Sequence, residues 1–471
     1  MRNFTKHYID GAFVESHGGE ALQLFNPANG KLAGEVLLGD ELDAQAAIAA
    51  AKRAFPAFAR TTKEERIHWL RRLGEVTAAK VDALTAAMVE EYGGTLQFSQ
   101  LMMQAAADAF RQAEIALERV EFVQKRGITT VYQDPVGVAG LITPWNANSL
   151  FLCLKAASAL AAGCTVVAKP SELSAYQTQV LLEAWHEAGL PAGVINVVTG
   201  RGDVVGAELV RNPDVAKISF TGSAAVGQTI QREGAATMKR VTLELGGKSP
   251  NILLDDADLA TAIPNALMIA FMNSGQACVA GTRLLVANHQ METVKQALVN
   301  TLPHFPVGLP SDPKNAVGPM VTEKQYNRVQ SLIRKGIEEG AEILTGGPGK
   351  PEGLEDGYFV KPTVFVNVKN DMTIAQEEIF GPVLSVIGYE DEADAIKIAN
   401  DTRYGLHGWV SGTDPERTRR VASQIQAGRV AVNGLKDDPQ APFGGFKYSG
   451  IGREFGTFGI EAYLEQRAIL D

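Results

Sequence analysis

The sequence predicts an α/β protein of two domains, each built on a parallel sheet. From residue 135 short β-branched runs, "TVVAK", "GVINVVTG" and "AKISFTGS", alternate with amphipathic stretches such as "YQTQVLLEAWHEAG", the rhythm of βα units on a parallel sheet. A second series follows Glu244, with "SPNILLDD", "TRLLVAN", "PTVFVNV", "VLSVIGYE" and "RVAVN". Two domains joined near Gly246-Gly247 are the economical reading, and 471 residues are enough for two or three cores.

Ahead of that region the alanine-rich stretches 44–59 and 76–89 read as helices. Between them "TTKEERIHWLRRL" carries a capping-box pattern, Thr62 to Glu65, with Ile67, Leu70 and Leu73 at helical spacing. The first hundred or so residues are therefore expected to be mostly helical. In "VEFVQKRGITTVYQDPVG" a strand-like run falls outside the βα rhythm, and the chain ends on another, "AYLEQRAIL". Strands without neighbours need edges to pair with, so a separate small sheet or a subunit contact is expected. "SLFLCLKAASALAAGCTVVA" comes nearest to a membrane-length apolar run, but Lys155 and Gly163 break it, and it reads as a buried helix leading into a strand.

The composition, 45% hydrophobic and 21% charged, is that of an ordinary soluble protein. A net charge of −10 with dispersed Lys and Arg gives no basic field for nucleic acid. The three cysteines, Cys153, Cys164 and Cys278, form no close pair and no zinc-type spacing with histidine, which argues against disulfides and a structural metal. "MRNFTKHYIDGAFVE" lacks the apolar core of a signal peptide. A cytoplasmic protein without metal, membrane or nucleic-acid partners is expected.

Several stretches carry functional signals. "GRGDVVG" offers Gly200, Gly202 and Gly206, one residue too long for a dinucleotide fingerprint, and a plain turn competes with it. In "ISFTGSAAVG" an apolar strand ends at Phe220, and Gly222 and Ser223 open the next helix, where N–H groups and the helix dipole favour an anion. Lys169 and Glu172 of "AKPSE" follow a buried-looking strand, at the end where parallel sheets bind ligands, and a solvated surface pair is the alternative. Cys278 stands in "NSGQACVAGTR", with little side-chain bulk around it; a buried inert thiol is the bland reading there.

Together "TPWN" (143–146), "KPSE" (169–172), "FTGS" (220–223), "LELGGKSP" (243–250), "GQAC" (275–278), "EEIFGP" (377–382) and "PFGGFKYSG" (442–450) resemble the aldehyde dehydrogenase superfamily. They span most of the chain in that family's order. The resemblance implies two doubly wound α/β domains, one a Rossmann-like cofactor domain, and a small oligomerisation β-sheet. It implies a cofactor domain from 1–119 and 139–246, a catalytic domain from 247–446, and oligomerisation segments 120–138 and 447–471. Homodimers or homotetramers follow from it.

By the same resemblance Cys278 is the nucleophile, Glu244 the general base and Asn146 an oxyanion-hole donor. A thiolate adds to an aldehyde carbon to give a thiohemiacetal, oxidation gives a thioester, and activated water hydrolyses it. Leu243 and Leu245 flank Glu244 and imply its burial, which raises a carboxyl pKa. Cofactor contacts carry over to Ile142, Thr143, Pro144 and Trp145, then to Lys169, Ser171 and Glu172 beside the adenosine ribose. Gly202, Gly206, Phe220 and Val226 follow, then Gly222 and Ser223 at the pyrophosphate turn, Leu245 and Gly246, and Glu378 and Phe380 on the nicotinamide side. Glu172 repels a 2′-phosphate, so NAD is preferred and NADP stays open. Lys155 and Glu454 resemble a proton-relay pair, and an ordinary ion pair explains them equally well.

The chain departs from the family at the tunnel. Ala147 and Asn148 replace an aromatic residue and proline, and Leu154 replaces a frequent tryptophan, while Phe151 remains as a tunnel residue. A wider entrance without an aromatic box disfavours a quaternary ammonium such as betaine aldehyde. "NGLKDDPQAPFGG" (433–445), with Lys436, Asp437 and Asp438, points to a bulky or polar aldehyde. The rival readings are a CoA-acylating dehydrogenase, which usually lacks this glutamate, a non-catalytic NAD-binding or structural protein, and a cysteine hydrolase, which wants a histidine base.

Overall fold

The computed structural model describes residues 2–470. Its larger sheet has a parallel centre, in the order Arg240–Glu244, Val215–Thr221, Val138–Ile142, Thr165–Lys169, Ile195–Val197. Gly450–Ile451 adds antiparallel at one edge, and the hairpin Lys6–Ile9/Ala12–Glu15 at the other. The chain builds outward from Val138–Ile142 in one direction, then returns to its other side at Val215–Thr221. Such a reversal leaves a crevice at the carboxyl ends of those two strands.

The second sheet runs Glu342–Thr345, Thr363–Val366, Val383–Tyr389, Arg283–Ala287, Pro250–Leu253, His407–Ser411, Arg429–Val432. All its pairs are parallel except the first. Its centre is buried on both faces, which explains the near-continuous apolar runs in the sequence. The two sheets meet where the chain passes from Glu244 to Pro250.

The orphan strands find each other: Leu464–Leu470 pairs antiparallel with Thr129–Pro135, which pairs with Val123–Arg126. Residues 447–471 are not all devoted to that small sheet. Gly450–Ile451 belongs to the larger sheet, and Ile460 on the short helix Gly456–Glu461 is buried in the first core.

The expectation of a mostly helical N-terminal hundred is corrected. Residues 2–38 hold five strands, and the helices begin only at Glu41. These strands are short and half-exposed, so they lack an apolar run; the available signal is Asp10-Gly11, both left-handed at φ 54° and 80°, the two-residue turn of a tight hairpin. Helix Lys63–Ala78 starts as the capping box requires, with the Thr62 and Glu65 side chains each bonding the other's backbone N–H. Helix Asn148–Ala162 runs into strand Thr165–Lys169 through Gly163 at φ 91°. Among the described residues no helix is long and apolar enough to cross a membrane, and no group of three His, Cys, Asp or Glu is placed to hold a metal.

Candidate active site

A cavity of about 520 Å³ lies between the two sheets. One wall comes from the crevice in the larger sheet: Pro144, Trp145 and Asn146 beyond Ile142, and Gly222 and Ser223 beyond Thr221. The other comes from the opposite ends of the second sheet's strands. Gly246 lies ahead of Pro250, Cys278 ahead of Arg283, and Glu378 and Phe380 ahead of Val383. Carboxyl ends of one sheet thus face amino ends of the other, and loops from both converge on one space.

Cys278 sits after a run of left-handed backbone, Asn273 at φ 52°, Ser274 at φ 57° and Gly275 at φ 74°. Only glycine fits at 275, because a Cβ there would stand 2.1 Å from the Gly381 carbonyl oxygen. A Cβ on Gly247 would stand 2.3 Å from the Cys278 carbonyl oxygen, so the loop carrying Cys278 is clasped from two sides. Burial first, then the charges of Glu378 and Glu244, push the Cys278 thiol up to about 12. At rest it is a thiol.

Glu244 ends its strand 3% exposed, with neither carboxyl oxygen hydrogen-bonded among the described residues. Burial, assisted by the Glu454 charge, holds its pKa well above the usual carboxylate range, while Lys155, Arg453 and Arg429 pull the other way. The backbone approaches it closely at Gly444, where a Cβ would stand 2.9 Å from Oε1. Asn146 is 6% exposed and donates one amide N–H to the Gln276 carbonyl at 2.9 Å. Its second amide N–H is not spent on that bond.

Along the first wall Ser223 caps helix Ala224–Gly234, its hydroxyl accepting from Val226 N–H, and Val226 is itself 47% exposed. A Cβ on Gly222 would stand 2.4 Å from the Phe220 ring. Gly206, closing the turn Gly202–Gly206, lies against the side chains of Lys169 and Ile142, whereas Gly202 faces open space. Lys169 is not a solvated surface group: it is 4% exposed and bonds Glu172 at 3.0 Å and the Pro170 carbonyl. Ser171 caps the next turn by accepting from Leu173 N–H. The Thr143 hydroxyl is turned inward onto Asn148, away from the cavity.

Opposite, Glu378 accepts from Gly247 N–H at 3.0 Å, and burial pushes its carboxyl up to about 7. A Cβ on Gly246 would stand 2.4 Å from that carboxylate. Phe380, left-handed at φ 60°, meets Trp145 edge-on at 5.4 Å. Helix Glu323–Glu338 clamps this turn: Arg328 donates to the Glu378 carbonyl at 2.7 Å and Gln325 to the Phe380 carbonyl at 2.8 Å. Gln325, Arg328, Arg403, Tyr404 and Tyr448 all line the cavity. None was singled out from the sequence: Gln325, Arg328, Arg403 and Tyr404 stand in ordinary helix or loop patterns, and Tyr448, though inside "PFGGFKYSG", was not distinguished within that motif.

Lys155 is fully buried and bonds Glu454 at 2.6 Å, with the Ser219 hydroxyl bridging them at 3.0 Å to each. Asn148 is fully buried and bonds Thr143 and Thr178, so it braces the helix start and forms no tunnel wall. Ala147 is also buried, and Leu154 leans on the first core. In segment 433–445 Arg429 is the anchor. It lies over the Phe443 and Phe455 rings at 5.2 and 5.1 Å and bonds Asp437 at 2.6 Å, along with three backbone carbonyls.

The model of the aldehyde dehydrogenase family matches residues 13–469. This chain is an aldehyde dehydrogenase family member. A relative from Staphylococcus saprophyticus, named for the same enzyme class, is 46% identical over 470 residues, which is 100% of this chain and 99% of the relative. Among solved structures, a mutant of aldehyde dehydrogenase C from Pseudomonas syringae, complexed with NAD+ and octanal, is 42% identical with TM-score 0.97, covering 99% of this chain and 96% of that one. An aldehyde dehydrogenase from Mycobacterium tuberculosis complexed with NAD+ is 40% identical with TM-score 0.96, covering 99% and 98%. Betaine aldehyde dehydrogenase from Staphylococcus aureus, with NAD+, is 36% identical with TM-score 0.95, covering 99% and 94%.

Proposed function

We propose that this aldehyde dehydrogenase oxidises its substrate to the carboxylic acid with NAD, through a covalent intermediate on Cys278. The observation that carries the reading is the single cavity that holds Cys278 and Asn146 together with Gly222, Ser223, Glu378 and Phe380. Its glycines support a fit to the dinucleotide. The backbone at Gly222 opens a helix whose N–H groups suit a pyrophosphate, and Gly246 has no side chain to displace Glu378 from the ribose side. Lys169 and Glu172 would hold the other ribose, and the Glu172 charge disfavours NADP. Bound NAD supplies the two-electron acceptor; NAD+ in three solved relatives agrees with that choice.

The thiol proton passes to Glu244 as sulfur bonds the aldehyde carbon, and the new alkoxide faces the free amide N–H of Asn146 and the Cys278 backbone. Such a prearranged donor lowers the addition barrier by about 3 kcal/mol. After the carbon loses its hydrogen with two electrons, Glu244 gives up the thiol proton to solvent and, ionised again, takes a proton from water. The hydroxide adds to the thioester, and the thiolate leaves with release of the carboxylate. The polar segment 433–445 pinned by Arg429 favours a bulky or polar aldehyde, whereas Ala147 is buried and Leu154 packs on the first core, so neither widens the cavity. The octanal complex of the Pseudomonas syringae relative agrees with a substrate beyond the shortest aldehydes.

The test is a panel of chemically varied aldehydes with NAD and NADP, with and without CoA. NADH and carboxylic acid without CoA, fastest on larger aldehydes, are expected. Acyl-CoA as the product, or no turnover despite NAD binding, overturns the assignment; short unbranched aldehydes leading by a wide margin overturn the substrate class.

A further inference from the structure

We infer that Tyr92 is a positioning residue of this site, holding the nucleophile loop and the Asn146 backbone in register through Asn273. The inference rests on the roles proposed above for Cys278 and Asn146. Tyr92 is the last residue of a π-helical turn, Met88–Tyr92, between helix Val81–Ala87 and the left-handed Gly93. Such a turn carries one extra residue and re-aims the side chains around it, and turns of this kind concentrate at functional sites.

The Tyr92 side chain crosses from the first domain into the second and is 1% exposed. Its hydroxyl donates to Asn273 Oδ1 at 2.8 Å and accepts from Gln276 Nε2 at 3.1 Å. Asn273 Nδ2 donates to the carbonyls of Asn146 at 2.9 Å and Gln276 at 3.2 Å. The ring closes when Asn146 Nδ2 donates to that same Gln276 carbonyl at 2.9 Å. Gln276 is further fixed where its Oε1 accepts from Val321 N–H at 3.1 Å.

This circuit constrains what catalysis needs held still. The left-handed pair Asn273 and Ser274 leads directly to Cys278, and non-glycine residues persist there only when their surroundings over-determine them. The Asn273 side chain is the tie, and Tyr92 is the group that orients it. Without the hydroxyl, Asn273 Oδ1 and Gln276 Nε2 each lose a buried partner, and the amide is free to turn away from Asn146. Loss of alignment on the scale of an ångström costs on the order of 100-fold in rate.

Tyr92→Phe keeps the ring, which packs 5.8 Å from Trp145, and removes only the hydroxyl. Asn273→Gly keeps the left-handed backbone without strain and removes the amide. In single-turnover experiments the NADH burst should slow by roughly 10- to 100-fold in either variant. The Kd for NAD and the KM for aldehyde should stay within about twofold, a split that loss of folded protein alone does not produce. In the double variant the loss should not exceed that of the worse single one, because both act through one circuit. A burst within about twofold of the parent in Tyr92→Phe, or in Asn273→Gly if the first does not fold, overturns the proposal, as do fully multiplicative losses. Cys278→Ser is the reference arm. If it is inactive while Tyr92→Phe keeps the parental burst, this proposal alone fails; if it still turns over, the reading of the site fails first.

Discussion

Glu244 and Lys155 show how single residues set the chemistry. Burial keeps Glu244 protonated well above the usual range, so the general-base role proposed for it requires a raised pH. The kcat/KM profile should climb on the alkaline side, and Glu244→Gln should flatten that limb along with most of the activity. Lys155 lowers the Glu244 pKa and neutralises Glu454. Lys155→Met should move the limb to higher pH and cost about 3 kcal/mol of stability by stranding a buried carboxylate; pH-rate profiles and thermal unfolding check both. Cys278, Glu244 and Asn146, to which those roles are proposed, could be picked out from the sequence because each lies in a compact motif. Tyr92, Gln325 and Arg328 were not, since their roles arise from contacts between segments distant in sequence.

At the scale of elements, the N-terminal strands depend on one carboxylate. Asp43, in the first turn of helix Glu41–Phe58, accepts from Ser16 Oγ and from the N–H groups of His17, Gly18 and Asp40. Burial raises its pKa, but His7 and these N–H groups more than offset that and hold it far below the usual value. A depressed carboxylate stabilises the fold above its unfolded pKa of about 4, and the contribution is lost as pH falls below that. Asp43→Asn should lower stability by about 1–3 kcal/mol at neutral pH and blunt the acid-induced loss, as urea titrations at pH 7 and at about pH 2.5 would read. The strands Asp43 anchors were not legible because they are short and half-exposed and carry no apolar run. The parallel strands were legible for the opposite reason: buried on both faces, they are apolar throughout.

On the scale of the whole molecule, the small sheet presents strand Leu464–Leu470 with its side chains exposed beyond Leu464, including Ile469 and Leu470. An open edge of that kind needs a partner, which supports the expectation of a homodimer or homotetramer. Ile469→Asp should shift the mass measured by light scattering toward a smaller species; a parent that is already a stable monomer contradicts the expectation. The meeting of two sheets end to end was readable only as two domains. That the carboxyl ends of one face the amino ends of the other depends on packing between segments more than a hundred residues apart, such as Asn146 and Gln276.

In the proposed mechanism, turnover passes through an acyl group on Cys278 that Glu244 releases. Rapid quenching and mass spectrometry of Glu244→Gln, mixed with aldehyde and NAD, tests it most directly. Because Glu244 is proposed to serve both proton transfers, a slowed release of about one NADH per subunit that then stops is expected, with an acyl mass persisting on the peptide carrying Cys278. Continued NADH production with that peptide unmodified would contradict it.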